Sequence, residues 1–373
     1  MTDELAQLRA SVRGAFTDLS APAEVRRQMA SARGWNDKVW RRLCGELELA
    51  GLAVPREYGG SGFSAVELGI VFEEAGRCLL CAPLFAGAAL AAPLLLALDD
   101  VAARRRYLPG ICDGSTVATV VTADTLGVSV LDRPSVEAVE HDGESVLSGE
   151  AGFVVDGVFA DLILVPARTP DGLRVYALDA TAEGLRAVGL ATLDQTRKQA
   201  RLILDRVRAT RVGGPEAAAA ARRTFDVARV LLAGEQAGGA AHCLEATVAY
   251  AKTRIQFGRP IGSFQAVKQK AAEMLILVES ARSAAMTAAR SAAGLPDAPE
   301  LSQAAAIAHA YCSEAFVSVA AEMIQLHGGI GFTWEHDAHL YFKRAWAGRE
   351  MLGRPEEQLE ALAQALTEPA FAA

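Results

Sequence analysis

Residues 250–268 read Tyr250-Ala-Lys-Thr-Arg254-Ile-Gln256-Phe257-Gly258-Arg259-Pro260-Ile261-Gly262-Ser263-Phe264-Gln265-Ala-Val-Lys268, and the reading of the whole chain turns on them. Arg254 closes a helix, and Phe257-Gly258-Arg259-Pro260 turns the chain into the next one. Working outward, 224–257, 265–293 and 302–326 are long helical stretches with short links. Such lengths and links predict an antiparallel four-helix bundle, completed by a helix from about Ala338. At the far end of the third helix stands a second block, Gln325-Leu326-His327-Gly328-Gly329-Ile330-Gly331-Phe332, where small residues stop the helix and let a ligand approach the backbone.

Upstream the period changes. Thr116–Thr122, Ser145–Ser148, Phe153–Val155, Leu162–Val165, Arg174–Leu178 and Ala200–Leu204 are short β-branched runs. Gly, Pro and Asp turn signals separate them, among them Asp142-Gly143 and Asp171-Gly172, which predicts an antiparallel β barrel or sandwich. Residues 1 to about 113 read as helices again. Val39, Trp40, Leu43 and Leu47 fall on one helix face, and Ser64-Ala-Val-Glu67 is a capping box. The Gly59-Gly60-Ser61-Gly62 turn before it lacks the Lys-Ser/Thr of a phosphate loop and reads as a plain turn. Expected domains are therefore 1–113 (α-helical), 114–213 (β) and 214–373 (helical bundle).

Composition excludes several classes. A net charge of −8 leaves no basic stripe for nucleic acid. With 51% apolar and 22% charged residues the chain is globular rather than disordered. The first residues carry no secretory signal, and the longest apolar run, 84–98, contains Pro93 and is too short to span a bilayer. Cys78-Leu-Leu-Cys81 has no second pair, so the six cysteines read as structural, in a reducing cytoplasm. His327, His336 and His339 lack a third ligand in a metal-binding frame, and no metal is expected.

On residues alone, Arg254 could bridge two phosphate oxygens and Phe257 could offer a flat face beside it, or both could be an ordinary exposed turn. The 250–268 and 325–329 blocks resemble the signature and the Q-x-x-G-G block of the acyl-CoA dehydrogenase family. The resemblance extends over essentially the whole chain, including Pro55-Arg-Glu-Tyr58-Gly-Gly-Ser-Gly62. It implies an α+β multidomain fold: an N-terminal α-helical domain, a middle antiparallel β domain and a C-terminal four-helix bundle, assembled as a dimer of dimers. It also implies that Arg254, Gln256, Phe257, Phe264, Gln265, Gln325, Leu326, His327, Gly328 and Gly329 touch the adenosine-diphosphate half of an FAD. That FAD belongs mainly to a neighbouring subunit in the family. An acyl-CoA substrate and an electron-transfer flavoprotein, or another acceptor, are the expected partners.

The departures are as informative. Where the family carries T-E-P-x-A-G-S-D, this chain has Thr122-Ala123-Asp124-Thr-Leu-Gly-Val128. Where it carries G-x-K-x-W-I-[ST] against the flavin ring, the chain has Gly149-Glu-Ala-Gly-Phe153-Val-Val155, with no hydroxyl at the last position. The catalytic glutamate positions align with Leu352 and with Ala228, and neither can accept a proton. Glu350 and Glu235 are the substitutes within reach along the chain. The catalytic residue is therefore unknown. The leading expectation is one subunit of a heterotetramer, similar to the base-less partners in actinobacterial α2β2 enzymes that desaturate steroid side-chain CoA thioesters. The alternatives are a homotetrameric dehydrogenase with a relocated base, a base-independent flavin monooxygenase, and a scaffold subunit.

Overall fold

The computed structural model describes residues 3–141, 144–294 and 298–367. The Asp142-Gly143 turn lies outside the described residues. Among the described residues six α-helices precede the strands: α1 (Asp3–Leu19), α2 (Pro22–Ala30), α3 (Asp37–Gly45), α4 (Ala65–Arg77), α5 (Ala92–Ala97) and α6 (Val101–Cys112). Strands β1 (Ala118–Val120), β2 (Val136–His141), β3 (Glu144–Val155), β4 (Leu162–Thr169), β5 (Gly172–Asp179), β6 (Leu185–Gly189) and β7 (Gln199–Val212) follow. Helix α7 (Ala217–Thr253), the two-residue strands β8 (Ile255–Gln256) and β9 (Arg259–Pro260), and helices α8 (Gln265–Ala293), α9 (Ala298–His327), α10 (Ala338–Glu350) and α11 (Pro355–Thr367) complete the chain.

By contacts the chain divides into two compact units, 1–25 with 69–80 and 229–373, and 26–68 with 81–228. The second unit is built on a mixed sheet in the order β1-β4-β2-β3-β7-β5, with β6 beside β7. Most pairings are antiparallel, as alternation in the sequence predicts, but β1 and β4 run parallel (Ala118↔Leu162), as do β2 and β4. Strand direction follows from the connections, which residue alternation does not encode. Strand β4 is buried from Leu162 to Ala167 and sits inside the sheet, so it shows no alternation at all. The 84–98 run is a buried helix whose first part, Phe85–Ala91, is a π-helical stretch that passes directly into α5 just before Pro93, which has no N–H to continue the ladder. The capping box forms: Val66 N donates to Ser64 Oγ (3.1 Å) and Ser64 N to Glu67 Oε2 (3.0 Å).

In the first unit α8, α10 and α11 pack on α9, which together with the 3₁₀ turn after it (299–332) is long and apolar enough to cross a membrane by length and composition. Its buried face, Ala305, His309, Cys312, Phe316, Val319 and Met323, marks it as the core helix of the bundle. Helix α4 meets α7 backbone to backbone. A Cβ at Gly76 would collide with the carbonyl oxygen of Glu235, and one at Gly238 with that of Glu73, so glycine is required at both crossing points. Around this crossing, Glu74 accepts two bonds from Arg13 (both 2.8 Å) and one from Arg9, while Glu73 pairs with Arg9 (2.7 Å) and Arg282 (3.2 Å). A buried carboxylate needs such partners, and these tie α1 and α8 to α4.

Candidate functional site

The stretch that opened the sequence reading forms a surface hairpin at the end of α7. Arg254 N caps the helix through Tyr250 O (2.8 Å), Ile255 pairs with Pro260 and Gln256 with Arg259, and Ile261 N returns to Arg254 O (2.8 Å). The two residues at its tip, Phe257 (φ 54) and Gly258 (φ 75), both have positive φ, as a type I′ turn demands. Asn or Gly is the ordinary choice at the first of these positions. A phenylalanine there is strained, and it is 90% exposed, so its conformation and its location both work against stability. Its edge meets the Phe264 ring at 6.1 Å, and the Arg259 guanidinium lies 4.1 Å over that ring.

The second block reaches the first through one stack. Helix α9 ends at His327, Gly328 takes φ 64, and a short 3₁₀ turn follows over Gly328–Phe332. The His327 ring lies 4.3 Å from Tyr250, whose hydroxyl donates to His327 O (3.4 Å). The ring also lies 4.4 Å from His336, and its Nδ1 donates to Met323 O (2.7 Å). Burial pulls the His327 pKa below its usual value, with the Met323 bond opposing and His336 adding to the shift, so the ring is neutral at pH 7. His336 accepts from Ala338 N (3.1 Å) at the start of α10. Among the described residues, no group of three or more His, Cys, Asp or Glu side chains could hold a metal ion.

Arg254, Gln256, Phe257, Gln265, Gln325, Gly328 and Gly329 are exposed, Phe264 and Leu326 half-buried, and His327 buried. Arg254 has no ion pair among the described residues, and a Cβ built on Gly258, Gly328 or Gly329 would meet nothing within 4 Å. An unpaired guanidinium, a presented aromatic face, exposed amides and bare backbone suit a diphosphate carrying an adenine. These residues fit that end of an FAD. Tyr250 carries no local signal of this role, because the residue it stacks on lies 77 positions away.

The segments aligned with the flavin-ring contacts do not fit. Val155 is buried, and its carbonyl accepts from Thr119 Oγ1 (2.6 Å). Phe153 stands at φ 54 in a β-bulge, 42% exposed. The loop after β1 closes on itself. Asp124 accepts from Leu126 N (2.8 Å) and Val128 N (3.0 Å), pairs with Arg133, and its backbone leaves no room for a side chain at Gly152. Burial alone would raise the Asp124 carboxyl, but these bonds hold it below the usual carboxylate range.

No carboxylate stands free at the base positions. Ala228 is fully buried. Leu352 adopts φ 60, and its carbonyl accepts from Arg229 Nε (2.8 Å). Glu350 is exposed and lies 3.0 Å from Arg349, which also binds Glu314 (2.8 Å) and Glu356. Glu235 is 5% exposed and faces the buried Arg344 at 3.8 Å. None of the six cysteines forms a disulfide, and burial pushes the Cys78 thiol up to about 12, far from a reactive thiolate.

Comparison with known proteins bears on the whole chain. The acyl-CoA dehydrogenase N-terminal domain family matches residues 2–115 and the acyl-CoA dehydrogenase C-terminal domain family residues 218–367. The chain is 37% identical over 360 residues to acyl-CoA dehydrogenase IpdE2 of Mycobacterium tuberculosis, covering 96% of each. A solved variant of the Tcur3481-Tcur3483 steroid ACAD superposes with a TM-score of 0.89 at 33% identity, over 99% of each chain. The ChsE4-ChsE5 complex from Mycobacterium tuberculosis contributes a chain with a TM-score of 0.89 at 28% identity, covering 99% of this chain and 98% of that one. The motifs, the order of helices, sheet and bundle, and these matches together make the chain a member of the acyl-CoA dehydrogenase family, FAD-dependent oxidoreductases acting on CH–CH bonds.

Proposed function

We propose that this chain is one subunit of a cytoplasmic heterotetrameric acyl-CoA dehydrogenase that desaturates a steroid-derived acyl-CoA thioester. In this reading it supplies the adenosine-diphosphate half of a composite FAD site. A second acyl-CoA dehydrogenase subunit carries the ring pocket, the acyl-CoA pocket and the catalytic base. When bound, FAD supplies the hydride acceptor for the β-hydrogen, and electrons leave through an electron-transfer flavoprotein or another acceptor. Arg254 would hold the diphosphate, and Gln256, Phe257, Phe264, Gln265, Gln325, Leu326 and His327 with the backbone of Gly328 and Gly329 would line the rest of the adenosine-diphosphate half.

One observation carries the proposal: a strained, exposed Phe257 beside an unpaired Arg254, in a chain whose base positions hold Leu352 and Ala228. The cofactor's handle is retained at a cost while the base is gone, which makes sense when the handle serves a neighbour. Glu350, tied to Arg349, and Glu235, facing Arg344, are held as ion-pair members rather than poised as bases. The relatives named as a steroid ACAD and as a ChsE4-ChsE5 complex support both the substrate class and the two-subunit assembly.

The test is the visible spectrum of the chain expressed alone and with the product of the neighbouring gene. The proposal expects flavin only on co-expression, at about one per two chains, and bleaching by acyl-CoA only then. Flavin near one per chain in the lone protein, bleached by acyl-CoA, overturns it in favour of a self-sufficient enzyme.

A further inference from the structure

Within the unit formed by 1–25, 69–80 and 229–373, a cavity of about 210 Å³ opens between α1, the start of α2, the end of α4, α7 and α10. Its floor is apolar: Phe16, Val25, Leu79 and Leu340 are all buried. One wall is the flat face made by His242 stacked on Tyr341, with centroids 4.4 Å apart and planes within 10°.

The polar groups around it are already engaged. Arg13 is bidentate on Glu74, and Arg77 is bidentate on Glu245 (2.8 and 2.6 Å). Tyr341 donates to Arg77 O (2.7 Å), Ser20 to Cys78 O (3.1 Å) and Thr17 to Arg13 O (2.8 Å). His242 differs. Apart from its stack on Tyr341 it has no hydrogen bond among the described residues, and it lines the cavity. Burial and the Arg77 guanidinium push its pKa down to about 4, against smaller opposing effects of Glu245 and Asp337, so at pH 7 it offers one donor and one acceptor.

Volume and chemistry fix the class of occupant. An apolar cavity of roughly 150 Å³ accepts benzene, so this one has room for a single substituted ring. An anion would have to pull a guanidinium from Glu74 or Glu245, and a cation would meet those same guanidiniums. We propose that the cavity binds a small uncharged ring compound with one hydroxyl or keto oxygen, its ring on Phe16, Leu79 and Leu340 and its oxygen on the imidazole of His242. This site is separate from the flavin hairpin, since His242 and Thr253 are about 16 Å apart along α7. No assumption about the flavin enters it.

Phenol and toluene are the probes, titrated into the full-length protein by calorimetry. Wild type binds both, phenol more tightly. His242→Phe keeps a stacking ring and removes the hydrogen bond, so phenol weakens by roughly tenfold while toluene stays within about twofold. His242→Gln restores a donor and acceptor and recovers much of the phenol affinity, and Ala21→Phe, which fills the cavity, abolishes both. Circular dichroism verifies that each variant is folded. Absence of binding to wild type, or phenol affinity indifferent to His242→Phe and Ala21→Phe in folded variants, overturns the proposal. Neither probe nor readout involves flavin, so the outcome stands apart from the stoichiometry test above.

Discussion

Arg229 Nε donates to the carbonyl oxygen of Leu352 across 2.8 Å, joining the residue that follows one family base position to the residue at the other. Leu352 is held at φ 60, where a branched residue is strained, and Gly353 follows at φ 96. Under the proposed function this tight loop holds an apolar residue where a base is expected. Arg229→Ala removes a charged donor from that loop. It is expected to lower unfolding stability by about 1.5–3 kcal/mol in urea titration, and a loss below about 0.5 kcal/mol would show that the loop is held by other contacts.

Returning a carboxylate to this loop is not expected to return activity. A positioned base contributes about 10²–10⁴-fold, but only where a flavin ring and a thioester are already aligned. The Val155 segment has no hydroxyl, and the Asp124 loop is closed on itself. Leu352→Glu, co-expressed with the partner, therefore leaves the rate of anaerobic flavin bleaching by acyl-CoA unchanged within about twofold. A rise of one order of magnitude or more would mean that this chain keeps a ring pocket of its own.

The two remaining acids are separated by stability rather than activity. Glu235→Gln leaves Arg344, itself 3% exposed, in the core with a weakened partner, and about 3 kcal/mol of stability should go with it. Glu350→Gln removes one of three carboxylates around Arg349 and changes stability by less than about 0.5 kcal/mol. In the folded co-expressed enzyme neither variant changes the bleaching rate more than about twofold. Stopped-flow absorbance decides it, and a hundredfold drop in either variant would make that acid the base.

The hairpin links conformation to cofactor. Arg254→Ala should weaken flavin retention by roughly ten- to a hundredfold, with Arg254→Lys intermediate because a lysine cannot bridge two oxygens. Phe257→Gly relieves the strain at φ 54 and raises stability by up to about 1 kcal/mol while loosening the flavin. Flavin fluorescence on dilution of the co-expressed enzyme reads the first effect and thermal melting the second. Retention unchanged in both Arg254→Ala and Phe257→Gly would remove the hairpin from the flavin site.

Much of this was legible along the chain. Val39, Trp40 and Leu43 announce the face of α3, although Leu47 lies past its end at Gly45; Ser64 and Glu67 mark the start of α4, and Arg254 to Gln265 the turn between two long helices. Local patterns of this kind are set by neighbours in sequence. The parallel pairing of β1 with β4, the Tyr250–His327 stack, the Gly76–Glu235 crossing and the Arg229–Leu352 bond join residues far apart in the chain. No local period carries them, and among them the Tyr250–His327 stack is the one that joins the two blocks of the candidate site. The strain at Phe257 was equally hidden, because φ is set by the hairpin register and not by the residue type.

Acid should weaken the loop after β1. Asp124 has a folded pKa below that of the unfolded chain, through bonds from Leu126, Val128 and Arg133 that outweigh its burial. A depressed carboxylate contributes its stability in full above the unfolded value of about 3.9, and that contribution drains away as pH falls through the folded value. Wild type should therefore lose stability below about pH 4, more steeply than Asp124→Asn, which has no such proton to bind. At pH 7 the same substitution costs about 1–3 kcal/mol, because an amide satisfies the two backbone donors less well and leaves Arg133 without its charge partner. Urea unfolding of both proteins between pH 3 and pH 7 measures the two slopes. Parallel curves over that range would mean that Asp124 titrates alike in the folded and unfolded chains, and that the closed loop owes its shape to the Ala123–Gly152 and Ala123–Ser129 bridges instead.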